Sequence, residues 1–402
     1  MLTDLTGRQY RANGGHSRHN IRISQGVVGG KIASAKCSAK PLAAGQSAWQ
    51  KQHNQAPSRL HSCRVAMAPA LAITAFAFTR KSPLHSTPTS MSGRKISKIV
   101  PATPGKVTRL IGTLDIDGNG TEHPLDQVDP FMLLDAGTIP KHNMPPFGAH
   151  PHRGHSVVSV LLQGSLRSWD SFAQKDTTIT GPASYWVDAG SGVFHDETTV
   201  IADESDPSQH VQMFQLWISV KEEDRAKPAA LQYETNLPVQ DLKDDMGHVV
   251  GNICYHVGGE CTSIKTMHPI VVAHVTQNAG SIVKIPIEPA FGGFIAHIRG
   301  TATYGDSPKP TSTPYHVVVL DDTTNTEEEY LLTIEAGNNG ASYLVCTGEK
   351  IGEPWCKLLA ANGAIIAKSE TEARDIAVQV EKASKEGLAS GNFSPYGAAP
   401  KS

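Results

Sequence analysis

From residue 97 onward, apolar positions come in short runs separated by Gly, Pro, Asn and Asp. "KVTRLIGTL", "SVVSVLLQG", "ASYWVDAG" and "HVQMFQLWISV" form a first series. After about residue 232 the texture repeats in "IVVAHVTQ", "GSIVKIPI", "GGFIAHIRGTATYG", "YHVVVLDD", "EEYLLTIEAG" and "ASYLVCTG". β-Branched and aromatic residues at this spacing, with turn residues between, predict an all-β sandwich or barrel. Two series of similar length predict two tandem domains, 96–228 and 229–390. The charged stretch "KEEDRAKPAALQYE" (221–234) would link them.

One segment has a different period. "SETEARDIAVQVEKASKEG" opens with a capping box, Ser369 and Glu372. It sets Ala373, Ile376, Ala377, Val380 and Ala383 on one face, and Gly387 is placed to stop it. A short C-terminal helix is expected there, either closing a β domain or binding a partner. Residues 391–402 read as a tail.

Charge alters the picture of the first quarter. Of 36 Lys/Arg and 38 Asp/Glu, residues 1–95 hold 14 bases and one acid, Asp4. The remainder thus holds 22 bases against 37 acids, which makes it a poor non-specific ligand for nucleic acid. The leader 1–95 is rich in Ser, Ala, Gly, Arg and Gln without periodicity, and reads as disordered. A transit peptide, a disordered tail, and upstream sequence joined to a start at Met67 or Met91 all fit it. The body is expected inside the cell, in cytoplasm or nucleus, with organelle import if the leader is a transit peptide. "VAMAPALAITAFAFT" has the length of a signal-peptide core, and no apolar stretch is long enough for a membrane span. Six scattered cysteines without CxxC read as free thiols rather than disulfides.

The candidate chemistry lies in "FGAHPHRGHSVVSV" (147–160). His150 and His152 are two apart, so on an extended strand both rings point to one side, and Pro151 favours that geometry. Alone, such a pair also suits surface or hydrogen-bonded histidines. "DAGSGVFHDETTV" adds a second pair, His195 and Glu197, at the same spacing. Three imidazoles and one carboxylate suit Fe(II), Mn(II), Co, Ni or Zn, not Ca or Mg. Four ligands on an octahedral ion leave two positions open, which suggests catalysis rather than a structural clip. Arg153, beside His152, could steer an anionic substrate or simply lie at the surface.

These residues resemble a known family. "DPFMLLDAG", "HPHRGHSVVSVLLQGSL", "YWVDAGSGVFHDE", "FQLWISV" and "GEKIGEPW" look like the blocks of the pirin family of bicupins, in order, from near residue 95 to about 387. The resemblance implies two cupin sandwiches, the N-terminal one binding a single iron through His150, His152, His195 and Glu197. It implies a dioxygenase that opens quercetin-type flavonols or related aromatics with O₂, Glu197 serving as ligand and base. Its alternative is a non-enzymatic, iron-dependent co-regulator of transcription or signalling with a protein partner. The chain departs from the family at His155 and Ser156, where HPHRGFET is usual, at "DAG" (135–137), and at Thr198 and Thr199.

Other signals are weaker. "DIDGNGTEHPLD" (115–126) mimics a calcium loop, but it lacks the final Glu and has β-like flanks, so a two-strand turn fits better. The second series holds His256, His268, His274, His297 and His316 without HxH or HxE spacing, and no second metal site is expected. Trp169, Trp186 and Trp217 sit on strand patterns and read as core rather than ligand platforms.

Overall fold

The computed structural model describes residues 20–22, 93–104, 107–112, 124–144, 148–259, 262–307, 309–312, 314–321, 330–360 and 363–390. Most of the leader, including "VAMAPALAITAFAFT", the tail 391–402 and the core of the calcium-like loop lie outside them.

The chain forms two cupin sandwiches from three sheets. A six-stranded sheet runs in the order Ala230–Glu234, Ala183–Asp188, His155–Gln163, Val211–Ser219, Phe131–Ile139 and Thr108–Ile111. A seven-stranded sheet runs Asn20–Arg22, Cys356–Ala360, Gly363–Ala367, His150–Arg153, Val193–Val200, Ser165–Asp170 and Asp176–Thr180. The third, eight-stranded with Ile282–Pro286 paired off its path, runs Val239–Lys243, Val249–Val257, Ile270–Gln277, Leu331–Glu349, Phe291–Tyr304, His316–Leu320 and Ile96–Pro101.

The near-continuous apolar run "SVVSVLL" has a direct cause. Val157 and Leu161 face the interior of the N-terminal sandwich, among Leu133, Tyr185 and Trp217. Val158 and Val160 face the other way, onto Phe294, Val317 and Leu344 of the eight-stranded sheet. A strand buried on both faces loses the usual alternation. The C-terminal sandwich keeps its own core around Ile295, Tyr304, Leu332 and Tyr343.

The sheets do not follow the linear division 96–228 and 229–390. Ile96–Pro101 pairs with His316–Leu320 in the C-terminal sheet. Ala230–Glu234, inside the expected linker, pairs with Ala183–Asp188 because Tyr233 stacks on Tyr185, centroids 4.9 Å apart. Cys356–Ala360 and Gly363–Ala367 extend the N-terminal sheet beside the HPH strand. The helix Glu370–Ser390 packs on these two strands through Ala373, Ile376, Ala377 and Val380, so it covers the N-terminal sandwich rather than the C-terminal one. Its expected box forms, with Ser369 Oγ accepting from the Glu372 amide at 3.2 Å. It continues past Gly387, since a glycine weakens a helix by only ~1 kcal/mol. Within the leader, Asn20–Arg22 is a strand, parallel to Lys357, Leu358 and Leu359; the leader is thus not featureless there. An open sheet edge offers unpaired backbone groups to any nearby segment.

Candidate metal centre

The HPH strand is separate from "SVVSVLLQG". It ends at Arg153, and the chain turns at Gly154 into the opposite sheet. Gly154 has φ +76°, and a Cβ there would stand 2.2 Å from the Ile366 carbonyl oxygen. Only glycine tolerates both the backbone and the approach. The corner leaves His150–Arg153 on one wall and His155–Gln163 on the other, with the site between them.

Val193–Val200 pairs antiparallel with the HPH strand, His195 opposite His150 and Val193 opposite His152. Opposed residues and residues two apart share a face. The rings of His150, His152 and His195 therefore converge, with centroids 4.6 to 5.0 Å apart. One nitrogen from each lies within 4.8 Å of the others, and all three residues are buried.

Hydrogen bonds fix the tautomers. His150 Nδ1 donates to the Gly148 carbonyl at 2.9 Å, which leaves Nε2 bare. That Nε2 lies 3.0 Å from His195 Nε2, so one proton must sit between them unless a cation replaces it. His155 Nδ1 donates to the Arg153 carbonyl at 3.0 Å. Its Nε2 is then an acceptor and takes the Nδ1 proton of His152 at 3.1 Å. The consequence is a bare His152 Nε2, buried without a hydrogen-bond partner. An orphaned buried lone pair is costly, and a metal ion would satisfy it. The donor set fits a transition metal.

The electrostatics agree. Burial, reinforced by His195, lowers the His150 pKa to about 4. Burial lowers that of His195 to about 3 and of His155 to about 4. His152 is held well below the usual value by burial and its three imidazole neighbours. All four are neutral at pH 7, the form that ligates metal.

Glu197 is beside this group but not within it. Its Oε1 accepts from Ser159 Oγ at 2.5 Å and its Oε2 from Gln215 Nε2 at 3.0 Å. Oε2 lies 3.9 Å from His195 Nε2. Burial raises the carboxyl above its ordinary range, against the hydrogen bonds from Ser159 and Gln215. Arg153 follows His152 and so falls on the opposite face of the strand; its carbonyl, through His155, is what enters the site. Trp217, read from sequence as core, walls the site with its ring 5.2 Å from His152 and 5.3 Å from His155.

Sequence reasoning missed His155, Ser159 and Gln215 as working parts. Ser159 and Gln215 oppose each other in the ladder. A hydroxyl and an amide inside runs as apolar as "SVVSVLL" and "FQLWISV" were the available signal, since buried polar groups need partners.

Residues 113–218 match the family model named Pirin. These residues form a pirin-family domain, and the chain shares the cupin fold. Among pirin relatives, a "Pirin-like protein" of Solanum lycopersicum is 26% identical over 230 residues, 57% of this chain and 74% of that one. A Pseudomonas aeruginosa protein named "Putative quercetin 2,3-dioxygenase" is 28% identical over 236 residues, 56% of this chain and 77% of that one. The crystal structure of a quercetin 2,3-dioxygenase from Acinetobacter baumannii shares the fold, with TM-score 0.56 and 17% identity over 75% of this chain and 99% of that one. Among the described residues, no helix is long and apolar enough to cross a membrane.

Proposed function

We propose that this pirin-family protein is an iron-dependent dioxygenase that opens a flavonol of the quercetin type, or a related hydroxylated aromatic, with O₂. The observation that carries the reading is the convergence of three neutral imidazoles on one buried point, beside a carboxylate held independently of them. The name of the Pseudomonas aeruginosa relative supports the substrate class. One iron per chain, held by His150, His152, His195 and, on a small swing, Glu197, suits the donors; Mn, Co, Ni or Zn would suit them too. When bound, the ion supplies Lewis acidity and open positions for substrate and dioxygen.

The chain's own residues do the rest. His155 and the Gly148 carbonyl orient His152 and His150 through their Nδ1 protons, as partners behind a metal-ligating histidine do. Ser159 and Gln215 hold the Glu197 carboxylate at the site. Glu197 Oε2 is the acceptor for the substrate's hydroxyl proton, because Oε1 can keep its Ser159 bond while Oε2 exchanges Gln215 for the proton. Burial, which raises this carboxyl, favours that uptake. Trp217 and Tyr185 keep bulk water away.

The test is metal analysis of the full chain followed by O₂ uptake and CO release with quercetin. About one metal per chain and flavonol-dependent uptake are expected. A metal-replete protein that consumes no O₂ with any flavonol overturns the dioxygenase.

A further inference from the structure

Lys357 lies on Cys356–Ala360, the strand that the C-terminal segment lends to the metal-bearing sheet. It is 1% exposed, and its Nζ is buried without a hydrogen-bond partner. Lysine is almost never fully buried unless paired. Snorkelling does not account for it, since the ammonium itself is covered. In the ladder Lys357 opposes Ile366, which packs with Trp217 and Val157 inside the N-terminal sandwich. The side chain therefore points inward, toward the compartment that holds the metal group.

Its surroundings do not neutralise it. Its Nζ lies over the Trp355 ring, 5.9 Å from the centroid, a contact at the outer limit of cation–π range that supplies no counter-charge. Arg109 is close enough to repel it and Asp126 close enough to attract it, but its Nζ hydrogen-bonds to neither. Asp135, the carboxylate behind Arg109, is engaged by both Nε and Nη2 of that guanidinium. On the other side the charge reaches His155, the histidine that fixes the His152 tautomer. Burial brings the ammonium down to about 8, so it is still mostly protonated at pH 7. A covered cation with no hydrogen-bonded counter-ion is a poor structural device and a good anion receptor.

We propose that Lys357 is the anion-recognising residue of this compartment, holding an ionised oxygen of the substrate, phenolate or carboxylate, on the His155 side of the metal group. As far as it concerns a substrate, this rests on the function proposed above. The chemistry is charge recognition, and it needs no turnover to be seen.

Binding is read by tryptophan fluorescence on the full chain, with 4-hydroxybenzoate, its uncharged methyl ester and quercetin as probes. The wild type should bind the acid about tenfold or more tightly than the ester, the worth of one charge-assisted hydrogen bond. Lys357→Met and Lys357→Gln should abolish that preference by weakening the acid alone, and Lys357→Arg should restore part of it. A parallel loss for quercetin at pH 8 identifies a phenolate as the bound oxygen; a loss confined to the benzoate identifies a carboxylate. Both variants should melt no lower than the wild type, because removing an unpaired buried charge relieves the fold. Equal affinity for acid and ester in the wild type, acid binding unchanged in both variants, or a lowered melting temperature in both overturns the inference. Charge-selective binding without O₂ uptake would sink the dioxygenase and leave Lys357 as an anion receptor.

Discussion

His155 decides which nitrogen of His152 is free. Without its acceptor, the His152 ring can flip or change tautomer, so His155→Ala should weaken metal binding by about 10–100-fold. His155→Gln, whose amide oxygen can still accept from Nδ1, should recover part of that; competition with a chelator would measure both. His152→Ala should lose most of the metal while the fold persists, since each sandwich has its own core. Glu197→Gln keeps the shape and an oxygen donor but removes the basicity. It should retain much of its metal and lose about 10²-fold or more in kcat; an iron-replete variant with unchanged kcat would dismiss Glu197 as the base. At this scale the sequence was legible where a shared face follows from the strand period: His150 and His152, and His195 and Glu197, stand two apart on their strands. His155, Ser159 and Gln215 were not, because their roles depend on a corner at Gly154 and on a register between strands distant in sequence.

The strand of the HPH motif is held by two glycines. Gly154 admits the Ile366 carbonyl, and at Gly363 a Cβ would meet the Pro151 oxygen at 1.7 Å. Gly154→Ala or Gly363→Ala should therefore destabilise by about 2 kcal/mol or more and lower metal content as well, since the strand carrying two imidazoles must shift. Denaturant unfolding with metal analysis tests the pairing of the two effects. Removal of residues 1–90 strips Asn20–Arg22 from the edge at Lys357, Leu358 and Leu359. Only a three-residue edge pairing is lost, so the melting temperature should fall by no more than a few degrees and metal content should hold. The individual strands and the helix face were readable from period alone. The exchange of terminal strands between the sandwiches was not: alternation shows that a segment is a strand, and says nothing of its neighbour.

Among the described residues, seven histidines whose pKa is lowered chiefly by burial set the response of the whole molecule to acid. His150, His152, His155 and His195 serve the N-terminal site. His256 bonds Ser184 Oγ, His274 bonds Ser342 Oγ and His297 bonds the Tyr304 hydroxyl. Burial lowers His256 to about 3, and His274 and His297 to about 4. An unfolded histidine titrates near 6.5. Below that value the unfolded chain binds protons that the folded chain refuses, so stability is full above about pH 6.5 and falls as the pH drops toward the folded values. Each such proton is worth ~1.4 kcal/mol per pH unit in that window. Asp170, Asp188 and Glu197, raised by burial, act with the opposite sign. Their opposing contribution enters as the pH falls through their raised folded values, and they are three groups against seven. The metal-free protein should therefore melt at steadily lower temperature from pH 7 to pH 5. His256→Phe would remove a C-terminal contribution without touching the metal group, and should flatten that slope by about one proton, provided the apolar ring fits beside Ser184. A melting temperature constant between pH 7 and pH 5 would show that these imidazoles reach water in solution, and with them the interior on which the metal centre depends.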